Sequence, residues 1–272
     1  MTMWLRGSFL LSLASFISVA DAEASLHVGQ SGEIRKALQE VVAQHSIPGA
    51  TAAIVSSKGV VAMGSAGIRK VGSDEKFRDS DVVHIGSCTK SMTSLLMACL
   101  VAEQTITWET QLIDVLPELK GHIHPAYHHV TIWQLLTHRA GVPGNARDWW
   151  AYGDLEISQR RLALLKDNLK AAPPAKNGDY LYSNLGYLVA ACMVERRTGS
   201  TWEKLMQQHV FTPLNMTSAG FGPPGTLSTV DQPWRHARAG AEWQARQGDN
   251  AEALGPAGRV HCSVADWACP QG

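Results

Sequence analysis

An apolar stripe at helical spacing, Met92, Leu95, Leu96, Cys99 and Leu100, constrains this chain more than any other feature. It predicts a helix running to about Glu103 with one face buried. What opens that helix matters as much. The β-branched run Val82-Val83-His84-Ile85-Gly86 leads directly into Ser87-Cys88-Thr89-Lys90. A serine hydroxyl and a lysine amine therefore stand one turn apart on the same face of a helix N-terminus. Serine is a poor nucleophile until an adjacent base takes its proton, and lysine becomes such a base when burial or a neighbouring cation suppresses its charge. The helix end adds unpaired N–H groups where an oxyanion would form. The same spacing recurs at Ser73-Asp74-Glu75-Lys76, but inside a polar run without apolar periodicity, which reads as a solvated turn.

A second stripe, Leu185, Leu188, Val189, Cys192 and Met193, stops near Gly199 and is preceded by Tyr182-Ser183-Asn184. A tyrosine hydroxyl relays or abstracts a proton when a nearby cation lowers its pKa. An asparagine two residues on points the same way in an extended segment and offers an amide to a substrate carbonyl. The plain alternative is a strand-to-helix junction with Asn184 as N-cap. Elsewhere the pattern predicts a helix over about 31–45 and strands at Thr51–Val55 and Val60–Met63 around a Ser-Ser-Lys-Gly turn. It also predicts a loop over 66–81, a short helix near Leu112–Leu116 and a helix over Thr131–His138 capped by Thr131. Residues 142–180, rich in Pro, Gly, Trp and charge, read as an active-site rim. Ser200-Thr201-Trp202-Glu203 reads as a capping box, and Ser263-Val264-Ala265-Asp266 as the cap of one further helix.

The first 22 residues read as a signal peptide. Arg6 supplies the positive region, residues 8–19 the apolar region, and Ala20-Asp21-Ala22 the small-x-small cleavage site. The apolar run is too short to span a bilayer. The alternative is a buried N-terminal helix. These features predict a periplasmic or secreted protein that begins near Glu23 and is not stably inserted in a membrane. Lys+Arg and Asp+Glu number 24 each, which gives no electrostatic footprint for nucleic acid. Export permits disulfides, but five cysteines show no framework spacing; Cys99 and Cys192 read as core thiols and Cys262–Cys269 as an unproven bridge.

Taken together, Ser87-Cys88-Thr89-Lys90 and Tyr182-Ser183-Asn184 resemble the serine β-lactamase and penicillin-recognising superfamily, in the branch of class C β-lactamases, D-Ala-D-Ala carboxypeptidases and related esterases. Leu135-Leu136-Thr137-His138-Arg139-Ala140-Gly141 and Phe211-Thr212-Pro213-Leu214-Asn215-Met216 resemble further family elements. So do Gln232-Pro233-Trp234 with His236, and Pro256-Ala257-Gly258 through Trp267. The resemblance implies an α/β (α+β) fold: an antiparallel sheet flanked by helices, plus an all-helical lobe at about 95–215, in one hydrolase domain over 23–272. It implies that Ser87 is the acylated nucleophile, Lys90 shares or takes its proton, Tyr182 is base or relay, and Asn184 holds the substrate amide. The Ser87 N–H would be one oxyanion donor. Substrates would be a β-lactam, a D-Ala-D-Ala-type peptide or a small ester, with no cofactor or metal. The family's Lys/His-Thr/Ser-Gly strand does not occur in the sequence, so the resemblance also implies a chain truncated at its C-terminus, lacking C-terminal sheet strands and left with an unpaired sheet edge.

Two competing functions follow. One is a catalytically defective homologue. The other is a zinc hydrolase using His122, His124, His128 and His129, although the Asp of a His-x-His-x-Asp-His site is absent. Gly220 to Gly225 matches Gly-x-Gly-x-x-Gly only formally, since prolines replace the required N–H groups. Trp149-Trp150 reads as pocket rim, and His138 as a structural histidine rather than a base.

Overall fold

Small residues dictate how the N-terminal helix meets the sheet. In a computed structural model that describes residues 19–148 and 152–222, α1 (Val19–His45) precedes an antiparallel hairpin of β1 (Gly49–Ser56) and β2 (Gly59–Gly67). A Cβ on Gly64 would lie 3.0 Å from both the Arg35 nitrogen and the Ile34 Cγ2, so the Gly64-Ser65-Ala66 stretch lets α1 lie directly on β2. α1 starts twelve residues before the expected 31, because Ala-Asp-Ala-Glu-Ala-Ser-Leu is itself a good helix former. Residues 1–18 lie outside the described residues.

The register pairs Thr51 with Ser65 and Ala53 with Met63, with an irregularity at Ile54/Val55. The Ser65 hydroxyl donates to Thr51 Oγ1 at 3.0 Å, a cross-strand pair. Among the described residues the sheet has these two strands, and β1 is exposed from Thr51 to Ser56. The following loop is held by Arg69, whose guanidinium donates two bonds to the buried Asp81 carboxylate. Burial alone would raise the pKa of Asp81; the Arg69 bonds and charge overcome it and hold the carboxyl below its ordinary value. The second Ser-x-x-Lys copy lies in loop just after a turn, with the Glu75 N–H donating to Ser73 Oγ and Lys76 bridging to Ile68.

Residues 82–222 form a second, helical unit. Its elements are α2 (Thr89–Ala102), α3 (Leu112–Val115), α4 (Ile132–Leu136), α5 (Ile157–Asn168), α6 (Asn184–Thr198) and α7 (Trp202–Met206). Leu185 to Glu195 of α6 are all buried, so this helix is apolar all round and forms the centre of the core. α3, α4, α5 and α7 pack around it. A two-stranded antiparallel sheet with helices makes the chain mixed α/β, as expected.

Three local expectations need correction. The buried face of α2 is Lys90, Thr93, Leu96, Met97 and Leu100, while Leu95 is 42% exposed; the lysine turns the helix so that its own amine faces inward. The 142–180 segment is not only rim, since it contains α5, whose Arg161, Leu164 and Leu165 are buried. The charged run Arg160-Arg161 and Lys166-Asp167 masks this core face in the sequence. The cap of α7 is Thr201, which accepts from the Lys204 N–H, and Glu203 is drawn away to Arg161.

Arg161 is fully buried and paired with Glu195 of α6 and with Glu203 of α7, tying three helices together. Removing one partner of a buried pair strands the other charge, whereas a surface pair contributes little. Arg161→Ala is therefore expected to lower stability by about 3–5 kcal/mol. Arg196→Ala, which breaks the exposed pair with Glu118, should cost about 0–1 kcal/mol. Urea-unfolding midpoints of the two variants check the contrast.

Candidate active site

Ser87 lies in a 3₁₀ turn, Gly86–Cys88, that runs straight into α2. Lys90 is therefore one turn further on, and its Nζ donates to Ser87 Oγ at 3.2 Å. From the other side comes the residue pair that opens α6. The Tyr182 hydroxyl is 2.7 Å from Ser87 Oγ, and Lys90 Nζ donates to Asn184 Oδ1 at 2.6 Å. The ammonium also lies 4.9 Å from the Tyr182 ring centre and 5.4 Å from that of Tyr187. Ser87, Lys90, Tyr182 and Asn184, separated by up to 97 positions in the sequence, thus meet in one cluster.

The N-cap of α6 frees Asn184 for this contact. Ser183, not Asn184, caps the helix: its Oγ accepts from the Gly186 N–H at 2.8 Å and donates to the Pro143 carbonyl at 2.6 Å. The backbone of Asn184 donates to the Gly144 carbonyl, and its side-chain Nδ2 donates to Asn145 Oδ1 at 2.7 Å. Asn145 fixes which way the amide faces, so that oxygen rather than nitrogen meets the lysine. Asn145 carries no motif spacing, and nothing in the sequence marks it beyond its place in a Pro-Gly loop.

The loop that presents Asn145 depends on Gly141. Its φ of +65° is a left-handed conformation, and a Cβ there would come within 2.5 Å of the Ala175 carbonyl oxygen.

The electrostatics favour proton transfer. Lys90 is 7% exposed, and burial lowers its pKa, partly opposed by the Tyr182 hydroxyl. Burial would raise the pKa of Tyr182, but hydrogen bonds from Lys90 and Ser87, together with the lysine charge, bring it below the ordinary phenol value. Tyr127 shows the contrast: buried without such partners, its phenol is pushed up to about 12. A serine flanked by a depressed lysine and a depressed tyrosine has two groups able to take its proton.

The other singled-out residues are placed as follows. Cys88 is exposed, Cys99 is half-buried and Cys192 is buried with its thiol pKa pushed up; all three are free thiols. His124 Nδ1 accepts from the Ala126 N–H, and His129 Nδ1 bonds the Gln111 side chain. Among the described residues no three His, Cys, Asp or Glu side chains group as metal ligands. His138 packs beside Tyr182, its Nδ1 accepting from the Ser183 N–H at 3.0 Å. Trp149, Trp150, Cys262, Cys269 and the expected elements beyond residue 222 lie outside the described residues.

A family model described as Beta-lactamase matches residues 34–268. The chain is 27% identical over 198 residues to an unguisins hydrolase of Aspergillus violaceofuscus, covering 68% of this chain and 34% of that protein. It is 27% identical over 173 residues to penicillin-binding protein 4 of Amycolatopsis lactamdurans, covering 64% of this chain and 44% of that one. The solved octameric penicillin-binding protein homologue from Pyrococcus abyssi superposes with a TM-score of 0.56 at 27% identity, over 68% of this chain and 43% of that one. The chain thus spans less than half the length of these relatives.

If Lys90 depresses Tyr182, removing its charge must reverse the shift. In Lys90→Met the Tyr182 phenol should titrate at a higher pH than in the unsubstituted chain, read from ¹³Cζ-tyrosine NMR with the signal assigned by Tyr182→Phe.

Proposed function

We propose that this chain, which belongs to the β-lactamase family, is a serine hydrolase that works through an acyl-enzyme on a β-lactam, a D-Ala-D-Ala-type peptide or a small ester. The observation that carries this reading is the 2.7 Å approach of the Tyr182 hydroxyl to Ser87 Oγ beside a buried lysine. Tyr182 as phenolate takes the Ser87 proton, and Oγ attacks the substrate carbonyl. The tetrahedral intermediate collapses when Tyr182 returns that proton to the leaving nitrogen or oxygen. Water then attacks the ester as Tyr182 takes its proton, and that proton passes to Ser87 Oγ as the acyl C–O bond breaks, releasing the acid and restoring the serine. Lys90 keeps the phenolate accessible by its charge, and Asn184 holds the lysine. The shorter contact to tyrosine, and the commitment of the lysine to Asn184, favour Tyr182 over Lys90 as the base.

The β-lactam among these substrates is supported by the name of one relative, a penicillin-binding protein, and hydrolysis by that of another, a hydrolase of unguisins. Export to the periplasm or medium is part of the same reading and rests on the N-terminal segment; cleavage after Ala22 would leave α1 beginning at Glu23.

Incubation of the chain with a fluorescent penicillin and with a fluorescent fluorophosphonate should label Ser87. Ser87→Ala should abolish the label, and Tyr182→Phe should slow it by about 10²–10⁴-fold. Labelling unchanged in Ser87→Ala, or hydrolysis lost on adding a chelator, would overturn the serine mechanism in favour of a metal one.

A further inference from the structure

The neighbours of Tyr182 on both sides are held by one residue. The Leu181 N–H donates to the His138 carbonyl at 2.8 Å, and the Ser183 N–H donates to His138 Nδ1 at 3.0 Å. Between them, the imidazole lies against the Tyr182 ring, with centroids 4.4 Å apart and planes 35° apart. His138 pays a backbone cost to stand there, with a φ of +60° in the left-handed region. The strap continues at Arg139, whose carbonyl accepts from the Gly178 N–H and whose guanidinium donates to the Gly178 carbonyl.

An imidazole nitrogen that accepts a backbone N–H carries no proton, so the proton of neutral His138 is on Nε2. Protonation of Nδ1 would set one N–H against another and release the Ser183 end of the strap. The groups facing this ring are Lys90 from α2, Tyr180 and Tyr182 from the strap, and Tyr187 from α6. Burial, and then the charge of Lys90, keep the imidazole pKa below its ordinary value of 6.5.

We propose that neutral His138 is a positioning residue that holds the Tyr182 hydroxyl at Ser87 Oγ, and that its protonation disengages the tyrosine. This rests on the acyl-enzyme reading for its kinetic consequence, but not for its structural one. The sign follows from the geometry. The engaged state binds one proton fewer at His138 than the released state, so engagement is complete at neutral pH and fails as pH falls below the imidazole range.

The test uses the full chain in three forms. His138→Asn keeps an acceptor where Nδ1 stands, suits a left-handed backbone and does not titrate. His138→Phe keeps an aromatic ring and removes the acceptor. Fluorophosphonate labelling rates across pH should fall on the acid side with the second power of proton concentration in the unsubstituted chain and with the first power in His138→Asn. His138→Phe should be slower than the unsubstituted chain by about 10²-fold at neutral pH, the cost of a misplaced group, with the gap closing as falling pH protonates His138 in the unsubstituted chain. Independently of activity, the ¹³Cζ signal of Tyr182 should step at the pH where the His138 imidazole titrates. A Tyr182 signal blind to that titration overturns the proposal, and this measurement decides the matter even if His138→Phe does not fold. Equal profiles in all three forms likewise overturn it while leaving the acyl-enzyme reading intact. No labelling of any form at any pH, with the NMR step present, sinks the acyl-enzyme reading and keeps the positioning role.

Discussion

An ammonium group taken out of water must be matched or neutralised, and the helical unit is organised around that requirement at Lys90. The lysine sits on the inward face of α2 with 7% exposure. It finds the Asn184 amide oxygen, the Ser87 hydroxyl and two aromatic faces. None of these suffices alone, since an isolated buried charge costs several kcal/mol. The incomplete compensation leaves the lysine easier to deprotonate and the adjacent phenol easier to ionise. The strain of burial is thereby turned into acid–base capacity at a single hydroxyl.

Rigidity behind this cluster comes from α6. A helix buried on every side cannot roll or slide without opening the core, so its first residue is a fixed point. Ser183 caps the helix and binds the Pro143 carbonyl, the Asn184 backbone binds Gly144, and Tyr187 Oη donates to the Leu136 carbonyl. Far from the site, the Arg161 pairs with Glu195 and Glu203 hold α5 and α7 to the same helix. The polar network at the N-terminal end of α6 therefore works against a support that does not yield.

Much of this was legible in the residues. Ser-x-x-Lys and Tyr-x-Asn are legible from spacing only together with context, each at the start of an apolar helical stripe; the same spacing at Ser73 lacks that context. The Thr131 cap and the hairpin turn were also readable from local chemistry. α5 was not, because its buried face is centred on an arginine, and burial of an arginine depends on two glutamates 34 and 42 positions away. The roll of α2 escaped for the same kind of reason: apolar counting favours Leu95, while the contacts of Lys90 decide otherwise. Asn145 and the choice of Ser183 over Asn184 as cap are set by which partner each side chain meets in space. Periodicity holds no information about such partners.

The contacts at Ser87 and Lys90 bridge 95 and 94 residues of chain. Closing loops of that length carries a large entropic cost that local helix formation does nothing to offset, so the cluster comes together only with the packing of the whole helical unit. A nascent or partly unfolded chain holds a serine, a lysine and a tyrosine of ordinary reactivity. On the acyl-enzyme reading, nucleophilicity at Ser87 would report complete folding, and a serine-directed label would count native molecules in a mixed population.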